Sequence, residues 1–281
     1  MLSWLRNRRR RALVAAEFPP HWVAVLRKNV GHYAGLREAE RRKLHDILRV
    51  LIAEKGWEGC SGVAVTEEMR VTIAAQAALL LIGLPAHDYF ARVPSLIVYP
   101  TGFRTPVAED DWEDDGLSET PISGQAVDRG PVILAWDDVL AEGRDPSCGF
   151  NIVVHEFAHQ LDFCDDEHNG TPPLPDRAAS ARWRHVMAGA LEAHRKMVDA
   201  GEPTFFSEDA AESEVEFFAD VAEAFYCRPH DLRDGDPEVY ALFADYFGVQ
   251  PVEWFRRDAP PSRKAAKKVQ RRAMTALFAA W

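Results

Sequence analysis

The residues with the clearest chemical potential are the pentapeptide HEFAH at positions 155–159, an H-E-x-x-H pattern. On a helix, His155 and His159 lie one turn apart on the same face, where two imidazoles can bind one zinc ion. Glu156 projects about 100° away from His155, so it can accept a proton from water at the metal without being a ligand. A chance match is the alternative, but three polar residues inside an apolar helix are costly without a purpose.

A catalytic zinc site needs a third protein ligand, and the motif does not contain one. Asp162 lies on the histidine face, but three ligands along one straight helix give poor tetrahedral geometry, so a structural or orienting role suits it better. The segment ESEVEFFADVAEAFY at residues 212–226 offers Glu216, which two phenylalanines follow at once. The sequence therefore predicts that Glu216 is held against the core, where a carboxylate needs a partner such as a metal.

Further carboxylates follow Glu216 at helical spacing. Asp220 lies one turn on and could accept the N–H of a zinc-bound histidine, and Glu223 one turn beyond could support the site or bind the metal. Glu212 and Glu214 fall in the first turn, where acidic side chains oppose the helix dipole. A solvated acidic face is the alternative explanation for Glu216 and Asp220.

The secondary structure predicted around these residues is mostly helical. Apolar spacing predicts helices over residues 21–36, 38–55, 66–84, 178–201, 212–226 and 236–247, besides the motif helix that begins near 151. Short strands are predicted at 63–65, 95–99 and 131–136, and the last is either a substrate-pairing edge strand or a core strand. This pattern predicts an α+β fold.

The chain divides into a basic segment at residues 1–17, a single catalytic domain at 18–258, and a basic, helical tail at 259–281. An acidic segment, EDDWEDDGLSE at 109–119, separates the last two strands. The domain can bury a sizeable core because 47% of the 281 residues are hydrophobic.

Composition also restricts the partners and the compartment. The net charge of -11 argues against direct binding of nucleic acid as the main role. The longest apolar run, residues 73–84, is too short to cross a membrane. The four cysteines form no CxxC pair, and no secretion signal is evident, so we expect reduced thiols and a cytoplasmic protein.

Five stretches of the sequence resemble a known protein family. The stretches VVHEFAHQLD and EVEFFADVAEAFY resemble the Mlc titration factor A family of glucose-regulated metallopeptidases, and VTIAAQAALLLIGL, SLIVYPTGF and GPVILAWDDVL resemble the family's upstream blocks in the same order. The resemblance covers residues 19–255.

The resemblance implies a zincin-like, gluzincin-type fold with one zinc ion on His155, His159 and Glu216, and Glu156 as general base. It also implies weak, regulatory peptidase activity of the aminopeptidase or short-peptide type. One feature departs from the family: PTFFSEDAAESEVE has no tyrosine shortly before the third ligand. Tyr99, Tyr240 and Tyr246 are the candidates to replace its hydroxyl.

The sequence therefore predicts a zinc peptidase with a peptide substrate. The alternative is a binding protein that sequesters a transcriptional repressor, as the resemblance also implies, with catalysis secondary.

Overall fold

The computed structural model describes residues 2–104, 122–165 and 167–256. The acidic segment 109–119 and the predicted tail 259–281 lie outside these residues. The helices are α1 Leu2–Ala15, α2 Pro20–Asn29, α3 Glu38–Glu54, α4 Glu67–Leu79, α5 Trp136–Arg144, α6 Ile152–Asp162, α7 Arg177–Asp199, α8 Glu214–Cys227, α9 Pro229–Gly235 and α10 Pro237–Phe247. The strands are β1 Gly56–Gly59, β2 Ser95–Tyr99, β3 Gly124–Ala126 and β4 Val132–Ala135.

The four strands form one sheet in the order β1-β2-β4-β3. β1, β2 and β4 run parallel, and β3 runs antiparallel to β4. The predicted strand at 63–65 is wrong, since those residues form a loop after β1. The predicted strand at 131–136 is present as β4, but it is an interior strand, and the edge position beside it belongs to β3.

Helix α4 lies at the centre of the helical layer. The Thr66 side chain caps it by accepting the N–H of Met69 at 3.2 Å. Every residue from Val71 to Leu79 is buried, because α2, α3, α5 and α6 all pack around this helix. It ends at Leu79 rather than at residue 84, and α2 likewise ends at Asn29, before a short 3-10 turn at Gly31–Ala34.

Helix α6 packs against α8, α4 and the β3–β4 side of the sheet. An aromatic cluster lies behind α8, where the rings of Trp183 and Phe243 stack at 5.1 Å and those of Phe225 and Phe247 at 5.7 Å. This packing fixes the position of α8 relative to α6. The expected α+β class is confirmed, while the zincin-like assignment stays a prediction.

The basic segment at 1–17 contains helix α1, which packs against α3. No helix among the described residues combines the length and apolar character needed to cross a bilayer.

Candidate metal centre

Helix α6 carries the two histidines on the side that faces α8. Asn151 caps the helix through its side-chain oxygen, which accepts the N–H of Val154 at 3.0 Å. The ring centroids of His155 and His159 lie 4.9 Å apart, as expected for residues one turn apart. Both rings are largely buried, so the helix holds two imidazoles in a restricted space.

Glu216 reaches these histidines from the first turn of α8. The Ser213 hydroxyl caps that helix by accepting the N–H of Glu216 at 3.1 Å. The Glu216 carboxylate then places Oε2 3.3 Å from His155 Nε2 and Oε1 3.6 Å from His159 Nε2. Its side chain is 35% exposed, so it lies at the mouth of the site and is less enclosed than the neighbouring phenylalanines suggested.

These three side chains fit the requirements of zinc. Ligand bonds of about 2.0 to 2.1 Å in a tetrahedron place donor atoms roughly 3.4 Å apart, close to the separations above. The donor atoms of His155, His159 and Glu216 all lie within 4.8 Å of one another. Two imidazole nitrogens and a carboxylate oxygen are also the ligand types of many catalytic zinc sites, which keep a further position open.

The other nitrogen of His155 faces two further carboxylates of α8. His155 Nδ1 lies 3.5 Å from Asp220 Oδ1 and 3.4 Å from Glu223 Oε2. The backbone N–H of Ser207 donates to Asp220 at 2.8 Å, and that of Asn151 donates to Glu223. Both carboxylates are therefore fixed, and they favour a proton on Nδ1 that leaves Nε2 free to bind a metal.

Asp162 lies apart from this cluster, although it shares the histidine face in sequence. Its side chain is fully buried at the end of α6 and faces the backbone amides of Gly170 and Thr171. Burial raises the pKa of its carboxyl group, and those amides partly oppose the rise. Among the described residues, neither group that could hold a metal includes Asp162, which fits a structural role better than a ligand role.

Glu156 points away from α8 towards the edge strand β3. Its side chain is 5% exposed, and burial raises the pKa of its carboxyl group to about 7. The charge of His155 and a hydrogen bond from the backbone of Ala126 oppose this rise, while Glu216 and Glu223 add to it. A carboxylate with a pKa near neutrality can both accept and release a proton.

Gly124 of β3 makes room for the Glu156 carboxylate. A Cβ atom at Gly124 would lie 2.5 Å from Glu156 Oε1 and 2.7 Å from Ile152 Cγ1, far inside normal contact. Sequence reasoning missed Gly124 and Ala126, because a three-residue strand beside an acidic segment has no readable periodicity. The only indication in the sequence is a glycine shortly before a predicted apolar strand.

The two histidines differ in their electrostatic environment. Burial opposes a proton on His155, but the carboxylates of Glu216 and Glu223 outweigh it and hold the pKa of His155 well above its usual value. Burial and the neighbouring charge of His155 lower the pKa of His159 to about 4. Several buried carboxylates around two imidazoles thus form an environment suited to a divalent cation.

Comparison with known proteins agrees with this geometry. The model of the family described as glucose-regulated metallo-peptidase M90 matches residues 4–248. The chain belongs to this family.

Individual M90 relatives cover nearly the whole chain. It is 32% identical to Mlc titration factor A of Yersinia enterocolitica over 266 residues, which cover 92% of this chain and 94% of that protein. An uncharacterized protein of Synechocystis is 31% identical over 253 residues, covering 89% of this chain and 90% of that protein. Mlc titration factor A of Yersinia pestis is 31% identical over 276 residues, covering 93% and 97% respectively. The chain is therefore a member of a metallopeptidase family.

The candidate tyrosines of this M90 chain have other partners. Tyr240 donates its hydroxyl to Gln250 at 3.0 Å, the ring of Tyr246 packs on Trp183, and that of Tyr99 stacks on Phe103. None of these contacts is with His155, His159 or Glu216.

The segment that lacks the tyrosine packs by its aromatic rings. Phe206 makes edge contacts with Phe217 and His194, and the carbonyl of the next residue, Ser207, lies 2.9 Å from His194 Nε2. This packing holds the Ser207 N–H against Asp220. The segment therefore helps to fix Asp220, while its phenylalanines carry no hydroxyl.

Proposed function

We propose that the chain is a zinc-dependent peptidase with one zinc ion per chain on His155, His159 and Glu216, and with Glu156 as the general base. The observation that carries this proposal is the meeting of these three donors, from two separate helices, at zinc-ligand separations. The M90 membership supports the reaction class.

Zinc in such a site acts as a Lewis acid that polarises a carbonyl group and lowers the pKa of water. The chain's own residues then accept and donate the protons of the reaction. Glu156 is buried with a pKa of about 7, so it can take a proton from water during attack and pass it to the leaving amine nitrogen. Asp220 and Glu223 hold the His155 ring in the required tautomer.

The substrate is expected to be a short peptide that lies along β3. In the described sheet this strand is paired on one side only, with β4, and it passes directly over Glu156. An extended peptide can add to such an edge through backbone hydrogen bonds. Three residues of strand offer few such bonds, which agrees with weak activity on short substrates.

Metal content and hydrolysis of a peptide panel, each measured with and without a chelator, test the assignment. We expect one zinc per wild-type chain and chelator-sensitive hydrolysis. Glu216→Ala should lose both zinc and activity, whereas Asp162→Ala should retain most of its zinc. If Asp162→Ala removes the metal and Glu216→Ala does not, the ligand set is wrong.

A second candidate function is binding of a transcriptional repressor, with catalysis secondary. Two observations favour it: the Yersinia relatives are named Mlc titration factor A, and the segment around Phe205 and Phe206 contains no tyrosine. Pull-down of a purified repressor of this type by wild type and by Glu156→Gln would separate the two. Binding by both proteins without measurable hydrolysis by either would favour this second function.

A further inference from the structure

Helix α1 concentrates positive charge on an acidic protein. It contains five arginines and no acidic residue, whereas the whole chain has a net charge of -11. Neither the metal centre nor the proposed peptidase activity uses this helix. Its charge and its exposed side chains therefore require a separate explanation.

One face of α1 fixes the helix to the body of the protein. The Arg10 guanidinium donates two hydrogen bonds to Glu54, at 2.8 and 2.6 Å, and lies 4.3 Å from the ring centre of Tyr89. Leu13 and Val14, three and four residues further on, are partly buried on the same face. The inward face of α1 is thus defined by Arg10 and held against α3.

The opposite face is open. At 100° per residue, Arg8, Leu5 and Trp4 lie about 160°, 140° and 120° from Arg10 around the helix, and Arg11 lies on the flank, about 100° away. Trp4 is 57% exposed and Leu5 51%, the two largest values among the exposed large hydrophobic side chains of the described residues. Arg8 lies over the Trp4 ring at 5.7 Å, and both Arg8 and Arg11 are exposed.

We propose that this outward face of α1 binds the surface of an anionic lipid bilayer. Trp4 and Leu5 insert at the level of the headgroups, and Arg8 and Arg11 bind lipid phosphates. Tryptophan prefers that interface because one edge of the indole is polar and the rest is apolar. Arginine can keep its guanidinium at the phosphates while its stem lies along apolar surface.

The combination of side chains favours a bilayer over a nucleic acid. Arginines alone would suit either polyanion, but the exposed tryptophan and leucine beside them add apolar surface that the headgroup region of a bilayer can bury. A helix that binds in this way lies in the plane of the interface and does not need to span the bilayer.

The proposal is tested by co-sedimentation of the full chain with vesicles of equal parts phosphatidylglycerol and phosphatidylcholine, or of phosphatidylcholine alone. We expect binding to the anionic vesicles only, weakening as salt increases. The double variant R8Q/R11Q should lose about 30-fold in partitioning, since two arginines are removed from the contact. The matched control R177Q/R184Q removes the same charge from exposed positions of α7 and should bind like wild type.

Insertion of Trp4 has its own readout. Brominated lipids should quench part of the wild-type fluorescence, and Trp4→Phe should lose that part. All variants leave Arg10 unchanged, and thermal unfolding checks that they fold. The proposal is overturned if wild type does not bind anionic vesicles, or if R177Q/R184Q binds them as weakly as R8Q/R11Q does. It is also overturned if R8Q/R11Q weakens binding to duplex DNA and leaves vesicle binding unchanged.

Discussion

Glu156 depends on Gly124 for its position, so Gly124→Ala isolates the contribution of that position to catalysis. The added Cβ would lie 2.5 Å from Glu156 Oε1, whereas ordinary contacts begin near 3.4 Å. It would also lie 2.7 Å from Ile152 Cγ1 and 2.8 Å from Glu156 Cγ, so the carboxylate cannot simply rotate within its pocket. The Glu156 side chain or strand β3 must shift by about 1 Å.

A displacement of this size at a reacting group costs about 100-fold in rate. The three atoms nearest to the added Cβ belong to Glu156 and Ile152 and not to a proposed zinc ligand, so zinc should remain bound. We therefore expect Gly124→Ala to lower kcat by about 100-fold with zinc content unchanged.

The assay is single-peptide hydrolysis beside metal analysis of the same samples. Gly189→Ala in α7 is the control. A Cβ at Gly189 would meet no atom within 4 Å. We expect Gly189→Ala to keep near wild-type activity.

Two results would contradict the expected effect of Gly124→Ala. A wild-type rate in Gly124→Ala would show that the position of Glu156 does not limit the reaction. Loss of zinc in that variant would show that β3 supports the whole of α6 and not the base alone.

Three further predictions concern the metal centre and the core. Glu156→Gln should keep its zinc and lose about 100-fold or more in peptidase rate. Metal analysis and timed peptide-hydrolysis assays of the variant and the wild type measure the two effects. Asp220→Ala should weaken zinc about 10- to 100-fold in competition with a chelator, since the His155 ring loses an orienting partner. Complete burial lowers the pKa of His32 from 6.5 to about 4, against the opposing effect of the Tyr226 carbonyl. As the pH decreases from 6.5 to about 4, the unfolded chain takes up a proton on this histidine that the folded chain cannot. The free energy of unfolding should therefore fall by about 3 kcal/mol as the pH is lowered through that range. His32→Leu should flatten this dependence in urea titrations of the metal-free protein, while the exposed control His185→Gln should not; equal slopes for wild type and His32→Leu would contradict the argument.

Much of the helical framework could be predicted from local sequence. Thr66 and the Asp236-Pro237 pair each mark a helix start that the structure has, because capping and the fixed φ of proline act within one turn. Helix ends were less predictable. Apolar residues continue to residue 84 in the sequence, but α4 stops at Leu79, where the following residues turn to pack against Phe247 and Val249.

The sheet was predicted less well, since its strands are short and their pairing is not local. The GWEG stretch of β1 resembles a turn in composition, yet it pairs with β2 across nearly forty residues of chain. β3 has three residues, and only its contact with β4 and Glu156 makes it a strand at all. Pairing partners supply the hydrogen bonds of a strand, so composition alone does not identify it.

Local sequence is sufficient to place His155, Glu156 and His159 relative to one another, since any α-helix puts these residues one turn or about 100° apart. It also contains several acidic candidates to complete the site. The choice among these carboxylates depends on the fold, because packing of α6 against α8 brings together residues some sixty positions apart. That packing places Glu216 at Nε2 of both rings and Asp220 at Nδ1 of His155, while Asp162, nearer in sequence, is buried elsewhere.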